Sequence, residues 1–326
     1  MKRTRLVTLG ILTLVSLVAP SVARGQEDAT LVVNHIANAY TLNANITYRT
    51  VSNWEAKLDV LQPRGLSAPN PTLIFFHGGG WTGGTKESAT FTVLPYLQKG
   101  WSVVNVEYRL TDVALAPAAV EDARCALRWV YKNAKQYNFD VTKIVTTGQS
   151  AGGHLALMAA MAPDSAGFDN TCAGDRAGGS NPPGPVNIEP LKVAAVVDWY
   201  GISDVNELLA GPNRRSYAVA WLGAMLNREE IAKMVSPLTH IRSGIPPILS
   251  VHGDADPTVP YSQKQVFHAA LAKAGLPHEF VTVASGRHGG FTDAEQIKNY
   301  AAIWAFLARH NISPAPGAPK PIPPTQ

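Results

Sequence analysis

The sequence predicts an α/β fold, with a mostly parallel central sheet flanked by helices on both faces. Three observations carry that reading. Short apolar runs recur along the chain and alternate with longer stretches of helical periodicity. Several of the runs are apolar at every position, as strands covered on both faces must be. Two of them end in glycine-rich loops, the punctuation of a strand that hands over to a helix. With 326 residues, 46% of them hydrophobic and 16% charged, the chain has material for one full core.

The elements follow in order. Lys2, Arg3 and Arg5 precede an apolar run from Leu6 to Ala19, and small residues follow at Ser21, Ala23 and Gly25. This is the layout of a secretory signal peptide over residues 1–25. The alternative is an uncleaved anchor, for which the run is short. A secreted or periplasmic protein is expected, with no membrane attachment once the signal is gone. The signal also carries the charge imbalance. The chain has 28 basic and 24 acidic residues. Loss of Lys2, Arg3, Arg5 and Arg24 leaves 24 of each. A near-neutral mature chain has no electrostatic footprint for nucleic acid or an anionic membrane.

A single domain is expected over 26–312. Strands are predicted at 45–50 and 57–61, joined by a turn, then at 72–76, 102–106, 143–147, 193–199, 247–251 and 279–284. Helices are predicted at 117–136, from about 150 onwards, and at 215–226, 261–274 and 293–309. Two stretches break the rhythm. Residues 162–190 are rich in Gly, Pro, Asn and Asp, a long loop of the kind that forms a functional rim or an insertion. Residues 313–326 are Pro-rich and are expected to be a disordered tail. No internal repeat and no second domain is apparent.

Cys125 and Cys172 are the only cysteines. On a helix over 117–136, Val120, Ala123, Leu127, Val130 and Tyr131 share one face, and Cys125 falls opposite, beside Glu121 and Lys132. A cysteine on a polar face points to something tied above it. The 162–190 loop brings Cys172 as a partner, and export favours a disulfide between the two; two separate thiols are the alternative.

The chemistry begins at Gly148-Gln149-Ser150-Ala151-Gly152. Serine is a poor nucleophile until a base takes its proton and its Oγ is held clear of its neighbours. A sharp strand-to-helix turn provides the clearance, and glycines two residues either side remove the collision it would cause. The second motif is His77-Gly78-Gly79-Gly80-Trp81, also after a strand. Acyl transfer passes through an oxyanion that pre-aimed backbone N–H groups stabilise. Those of Gly79, Gly80 and Ala151 are expected to do so. Either motif alone is common; the two in this order, each after a strand, are far more specific.

A base and an acid complete the set. Of nine histidines, His288 follows the last strand in a glycine-flanked loop, and the chain order Ser, acid, His selects it. His154, one turn past Ser150, reads as a buried structural residue. His77 belongs to the glycine loop, and His252 precedes a turn. In the loop His252-Gly253-Asp254-Ala255-Asp256-Pro257-Thr258-Val259-Pro260 either Asp254 or Asp256 is in range. Asp256 lies further into the loop and is preferred; Asp254 is expected to brace its own turn. Asp122, Asp198 and Asp204 read as structural. Trp81, Trp199 and Tyr200 are candidate substrate contacts, with the segment 217–226 on the same rim.

These motifs, with Glu107-Tyr108-Arg109-Leu110 and His288-Gly289-Gly290-Phe291, resemble the esterases of the α/β-hydrolase superfamily that carry an HGGG motif. The nearest groups are hormone-sensitive-lipase-like enzymes and bacterial feruloyl or acetylxylan esterases. The likeness spans roughly residues 45–310. It implies a triad of Ser150, Asp256 and His288, scaffold roles for Tyr108, Arg109 and Asp122, and neither cofactor nor metal. Against that family the helical N-terminal cap of many lipase-like relatives is expected to be missing, which implies an open site for compact or polymer-linked esters; short-chain or aromatic acyl esters are the expected substrates, and export fits a target such as acetylated or feruloylated plant polysaccharide. The acid loop is shared with prolyl-oligopeptidase-like enzymes, so an exported serine peptidase or amidase of the same fold is the alternative. A non-catalytic binding protein on this fold is disfavoured because every triad position is filled.

Overall fold

The protein is described by a computed structural model covering residues 31, 34, 36–172 and 191–313. The expected signal peptide, most of the Pro-rich tail and residues 173–190 lie outside the described residues. Among the described residues one sheet holds eight strands: β1 (Tyr40–Val51), β2 (Trp54–Pro63), β3 (Asn70–Phe76), β4 (Ser102–Val106), β5 (Phe139–Gln149), β6 (Ala195–Trp199), β7 (Ile248–Gly253) and β8 (His278–Val283). Their order is β1-β2-β4-β3-β5-β6-β7-β8. β1, β2 and β4 pair antiparallel, and every pairing from β4 to β8 is parallel.

The continuous apolar runs have a direct cause. β3 (Asn-Pro-Thr-Leu-Ile-Phe-Phe) is buried at every position. Ile74 and Phe76 point to one face, with Val104, Val106 and Ile144 of neighbouring strands. Leu73 and Phe75 point to the other, with Val103, Val145 and Val197. Helices α1 (Ala118–Lys132), α2 (Ala151–Met161) and α3 (Tyr261–Lys273) cover the first face. The short helix Leu94–Gln98 and α4 (Asp293–Arg309) cover the second. Each large side chain buried in this way contributes about 1.5–3 kcal/mol. The expected two-sided α/β architecture is therefore present.

The ends of the elements also have local causes. α4 starts in a capping box, with the Thr292 hydroxyl accepting from the Glu295 N–H and the Glu295 carboxylate accepting from the Thr292 N–H. The helix expected over 117–136 divides: α1 stops at Asn133, and a single turn, Ala134–Tyr137, closes on Asn138 in the left-handed region. The helix expected over 215–226 runs only from Ser216 to Leu222. Gly223 ends it with φ +59°, and a side chain there would meet Leu115. The short helices Leu94–Gln98 and Arg228–Met234 were not predicted.

The polar face of α1 is buried beneath residues 168–172. Arg124 and Arg128 both bind Asp169, the Arg124 Nε–Oδ1 distance being 2.7 Å. Arg49 donates to the Thr171 hydroxyl at 2.5 Å, and Cys125 is disulfide-bonded to Cys172. Beside this cluster, fully buried Asp122 accepts from Arg49 at 2.6 Å and from Arg109 Nε at 2.8 Å. No helix among the described residues is long and apolar enough to cross a membrane.

Candidate active site

The central strands β3 and β5 lie side by side and deliver their C-terminal loops to the same point. In open α/β sheets this is where ligands bind. β5 runs through Gly148 and Gln149 into Ser150, which turns with φ +56° and opens α2. Such a backbone is strained for any residue but glycine. The flanking glycines are needed as expected. A methyl group on Gly148 would sit 2.5 Å from the Phe76 carbonyl oxygen, and one on Gly152 would sit 2.5 Å from that of His77.

Ser150 occupies the N-cap of α2, where a serine hydroxyl normally accepts from the first-turn N–H groups. Here its side chain makes no cap hydrogen bond. Its Oγ instead lies 2.8 Å from His288 Nε2. His288 Nδ1 lies 2.7 Å from Asp256 Oδ2. The other carboxylate oxygen, Oδ1, accepts from the N–H groups of Thr258 (2.7 Å) and Val259 (3.0 Å). Burial opposes ionisation of Asp256. The hydrogen bonds from His252 and His288, the His288 charge and the Thr258 N–H outweigh it and hold the carboxyl below the usual range. A hydroxyl, an imidazole and an anionic carboxylate in one chain can move the hydroxyl proton to the ring while the carboxylate steadies the resulting imidazolium.

The glycine loop lies against this chain. A methyl on Gly78 would come 3.6 Å from Ser150 Cβ. Gly79 (φ +119°) and Gly80 (φ +60°) adopt backbones suited to glycine. The loop is closed by Thr82 and Gly83 N–H groups on the Gly79 carbonyl. Gly78, Gly79, Gly80, Thr82, Gln149, Ser150, Tyr200, Tyr217, Thr258 and His288 surround an open cleft of about 470 Å³. Tyr217 spans it. Its Cβ packs on Gly80, and its hydroxyl donates to the Thr258 carbonyl at 3.1 Å. Ala151 is fully buried directly after Ser150, at the first position of α2.

Of the three aromatic residues expected at the substrate, Tyr200 alone reaches the cleft, its ring 4.7 Å from that of His288. Trp81 and Trp199 need correction. Trp81 is fully buried and stacks on Trp221 at 4.0 Å, with His154 at its edge. Its left-handed backbone (φ +59°) marks the point where the chain leaves the glycine loop. Trp199 packs among the side chains of the second face, near Tyr300. The alternation of β6 explains this: Ala195, Val197 and Trp199 share a side of the sheet, and Tyr200 follows with φ +40° after the strand has ended.

The remaining polar residues fall largely as expected. His154 is buried and holds the Val235 carbonyl at 2.6 Å, and burial lowers its pKa to about 3. His77 stacks on Tyr108, whose hydroxyl donates to the His77 carbonyl at 2.8 Å. Asp198 is ion-paired to buried Lys264 and accepts from the Ser250 hydroxyl at 2.7 Å. Asp204 accepts from the N–H groups of Asn206 and Glu207. Asp254 departs from expectation: it accepts from the Ser285 N–H at 2.6 Å and so braces the loop that carries His288. Sequence reasoning missed the contact of His252 Nε2 with Asp256 Oδ2, at 3.1 Å. Its only sequence trace is the four-residue spacing. Among the described residues no group of three or more His, Cys, Asp or Glu is arranged to hold a metal ion.

A mostly parallel sheet with a serine at the strand-to-helix turn and a histidine loop after the last strand defines an α/β-hydrolase. The comparisons sharpen this. Residues 58–271 match the BD-FAE family, to which the chain belongs. It is 27% identical over 236 residues to esterase LipQ of Mycobacterium tuberculosis, covering 70% of this chain and 52% of that one. With the probable carboxylic ester hydrolase LipM of the same species the identity is 30% over 240 residues, covering 68% and 52%. The chain thus spans about half the length of these curated relatives. Among solved structures, a truncated carbohydrate esterase from gut microbiota superposes with a TM-score of 0.66 at 26% identity, covering 83% of this chain and 97% of that one. Esterase 2 of Thermogutta terrifontis with butyrate bound gives 0.68 at 26% identity, covering 86% and 97%.

Proposed function

We propose that the protein is an exported serine carboxylic-ester hydrolase acting through an acyl-enzyme on short-chain or aromatic acyl esters, including those carried by plant polysaccharide. The observation that carries this reading is the Ser150–His288–Asp256 hydrogen-bond chain at the wall of the open cleft. Ser150 Oγ attacks the ester carbonyl while His288 Nε2 takes its proton. The N–H groups of Gly79, Gly80 and Ala151 receive the oxyanion. The imidazolium then protonates the leaving alcohol, and a water activated by His288 releases the acid. Asp256 holds the ring through Nδ1 throughout. The short-acyl preference is supported by Tyr217, which narrows the cleft beside Gly80. The propionate- and butyrate-bound forms of the Thermogutta esterase point the same way, and the gut carbohydrate esterase supports a carbohydrate-linked ester. Export is supported by the basic start, apolar run and small residues of the N-terminus, and by the Cys125–Cys172 disulfide.

The test is hydrolysis of p-nitrophenyl acetate, butyrate and octanoate and of methyl ferulate, with a proline p-nitroanilide alongside. Acetate turnover well above octanoate, falling at least about 10⁴-fold in Ser150→Ala, is expected. Turnover unchanged in that variant would remove the mechanism. Cleavage of the anilide alone would make the protein a peptidase.

A further inference from the structure

The triad leaves one group at its base unused. His252 is the penultimate residue of β7, is fully buried, and places Nε2 3.1 Å from both Asp256 Oδ2 and the Val259 carbonyl oxygen. Both neighbours are acceptors, so Nε2 carries the proton and donates. Nδ1 is buried with no hydrogen-bond partner. An imidazole that makes only one half of its bonds in the core is costly for a turn that an apolar residue would fill more cheaply. The charged and titratable groups facing it are few. Asp256 comes from its own loop and Tyr261, with ring centres 5.8 Å apart, from α3. His288 lies beyond the shared carboxylate. Asp256 Oδ2 therefore lies between two imidazoles: His288 Nδ1 at 2.7 Å from the cleft, and His252 Nε2 at 3.1 Å from the core, the latter shared with the Val259 carbonyl.

We propose that His252 is a positioning residue for the reaction, setting both the orientation of Asp256 and how strongly its Oδ2 binds His288. This rests on the assignment of Asp256 and His288 to the triad. The physical argument is competition for one oxygen. A carboxylate oxygen that accepts from two N–H groups binds each less strongly than it would bind one alone. It also has less freedom to rotate away from either. Removing His252 frees Asp256 to turn, which costs rate. It also tightens whatever grip on the His288 N–H remains, which favours the protonated ring and moves the acid limb of the rate profile to higher pH.

The test compares the mature wild-type enzyme with His252→Ala and His252→Gln, the glutamine amide restoring an N–H near the Nε2 position. With p-nitrophenyl acetate, His252→Ala is expected to lower kcat roughly 10- to 30-fold with KM within about twofold. The acid limb of its kcat/KM profile should move up, and His252→Gln should recover both most of the rate and the limb. A second reading needs no substrate: the low-field proton resonance of His288 Nδ1–H, identified by its loss in His288→Ala. It should move further downfield in His252→Ala and return in His252→Gln. A folded His252→Ala with wild-type kcat, acid limb and resonance would overturn the proposal. So would a rate loss that glutamine fails to recover while limb and resonance stay fixed, since that describes packing alone. Should the wild type hydrolyse no ester, the esterase reading fails and the resonance still decides whether His252 sets the Asp256–His288 bond.

Discussion

Asp122 and Asp256 are both buried carboxylates ringed by four donor groups, yet they serve opposite ends. Asp122 accepts from the Arg109 backbone N–H, from two guanidinium atoms of Arg109 and from Arg49. Asp256 accepts from two backbone N–H groups and from His288, with His252 Nε2 3.1 Å from its Oδ2. A guanidinium keeps its charge at any working pH, so the Asp122 cluster is locked and ties β1 to α1 and the start of its loop. An imidazole, unlike a guanidinium, can take up and hand on a proton, so the Asp256 cluster can change state. The two sites show that what separates a brace from a reactive group here is the titratability of the donors and access to the cleft. Carboxylate burial and the number of surrounding donor groups do not distinguish them.

Paired substitutions break that comparison most sharply. Asp256→Asn should lower ester turnover by about 10⁴-fold in the molecules that fold, because the amide loses the orientation of His288. Steady-state rates and urea unfolding on the same preparation check this. Asp122→Asn should act on stability instead. It leaves buried Arg49 and Arg109 with only the partly exposed Glu121 for charge, at a cost of about 3 kcal/mol, and folded molecules keep most of their turnover. Equal rate losses in the two variants would erase the distinction.

The flank pinned to α1 provides the next test. The Cys125–Cys172 disulfide closes a separation of 47 residues. Cys125→Ala with Cys172→Ala should cost about 2–4 kcal/mol in urea unfolding, with turnover per folded molecule unchanged. Free-thiol titration of the unfolded wild type should find no reactive thiol.

Buried imidazoles away from the cleft should be felt in pH rather than in rate. Burial lowers the pKa of His154 to about 3, and burial together with the nearby Lys264 charge does the same for His268. In the unfolded chain each titrates near 6.5 and takes up a proton that the folded protein refuses. The stability they support is complete above about pH 6.5 and is lost as pH falls from there towards 3. By pH 5 the loss is about 2 kcal/mol for each. Urea midpoints from pH 7.5 to 4.5 measure it, and a flat profile would contradict the burial of these rings.

Much of this was legible in the sequence because it is written in local patterns. Strands β3 to β8 announced themselves as apolar runs, β1 and β2 as a pair joined by a turn, and the Ser150, Asp256 and His288 loops by glycine and chain order. What escaped was non-local or directional. The carboxylate–guanidinium cluster joins Arg49 to Asp122 and Thr171, residues far apart along the chain. No periodicity encodes such a junction. Trp81 and Trp199 were misplaced because proximity to a motif does not say to which side of the sheet a side chain points; the two-residue alternation of β6 did hold that information for Trp199. Asp254 was placed in the right loop but given the wrong partner, since its acceptor role crosses to Ser285.

Tyr217 has a mechanical consequence. Its ring rests on Gly80, its hydroxyl holds the Thr258 carbonyl, and the Thr258 N–H is held by Asp256. The loop that would receive the oxyanion and the loop that orients the histidine are thereby clamped to one short helix, Ser216–Leu222. Neither can loosen without pulling on the other. On warming, catalysis and the folded structure should therefore disappear over the same few degrees, with no interval in which an intact scaffold carries a slack, inactive cleft.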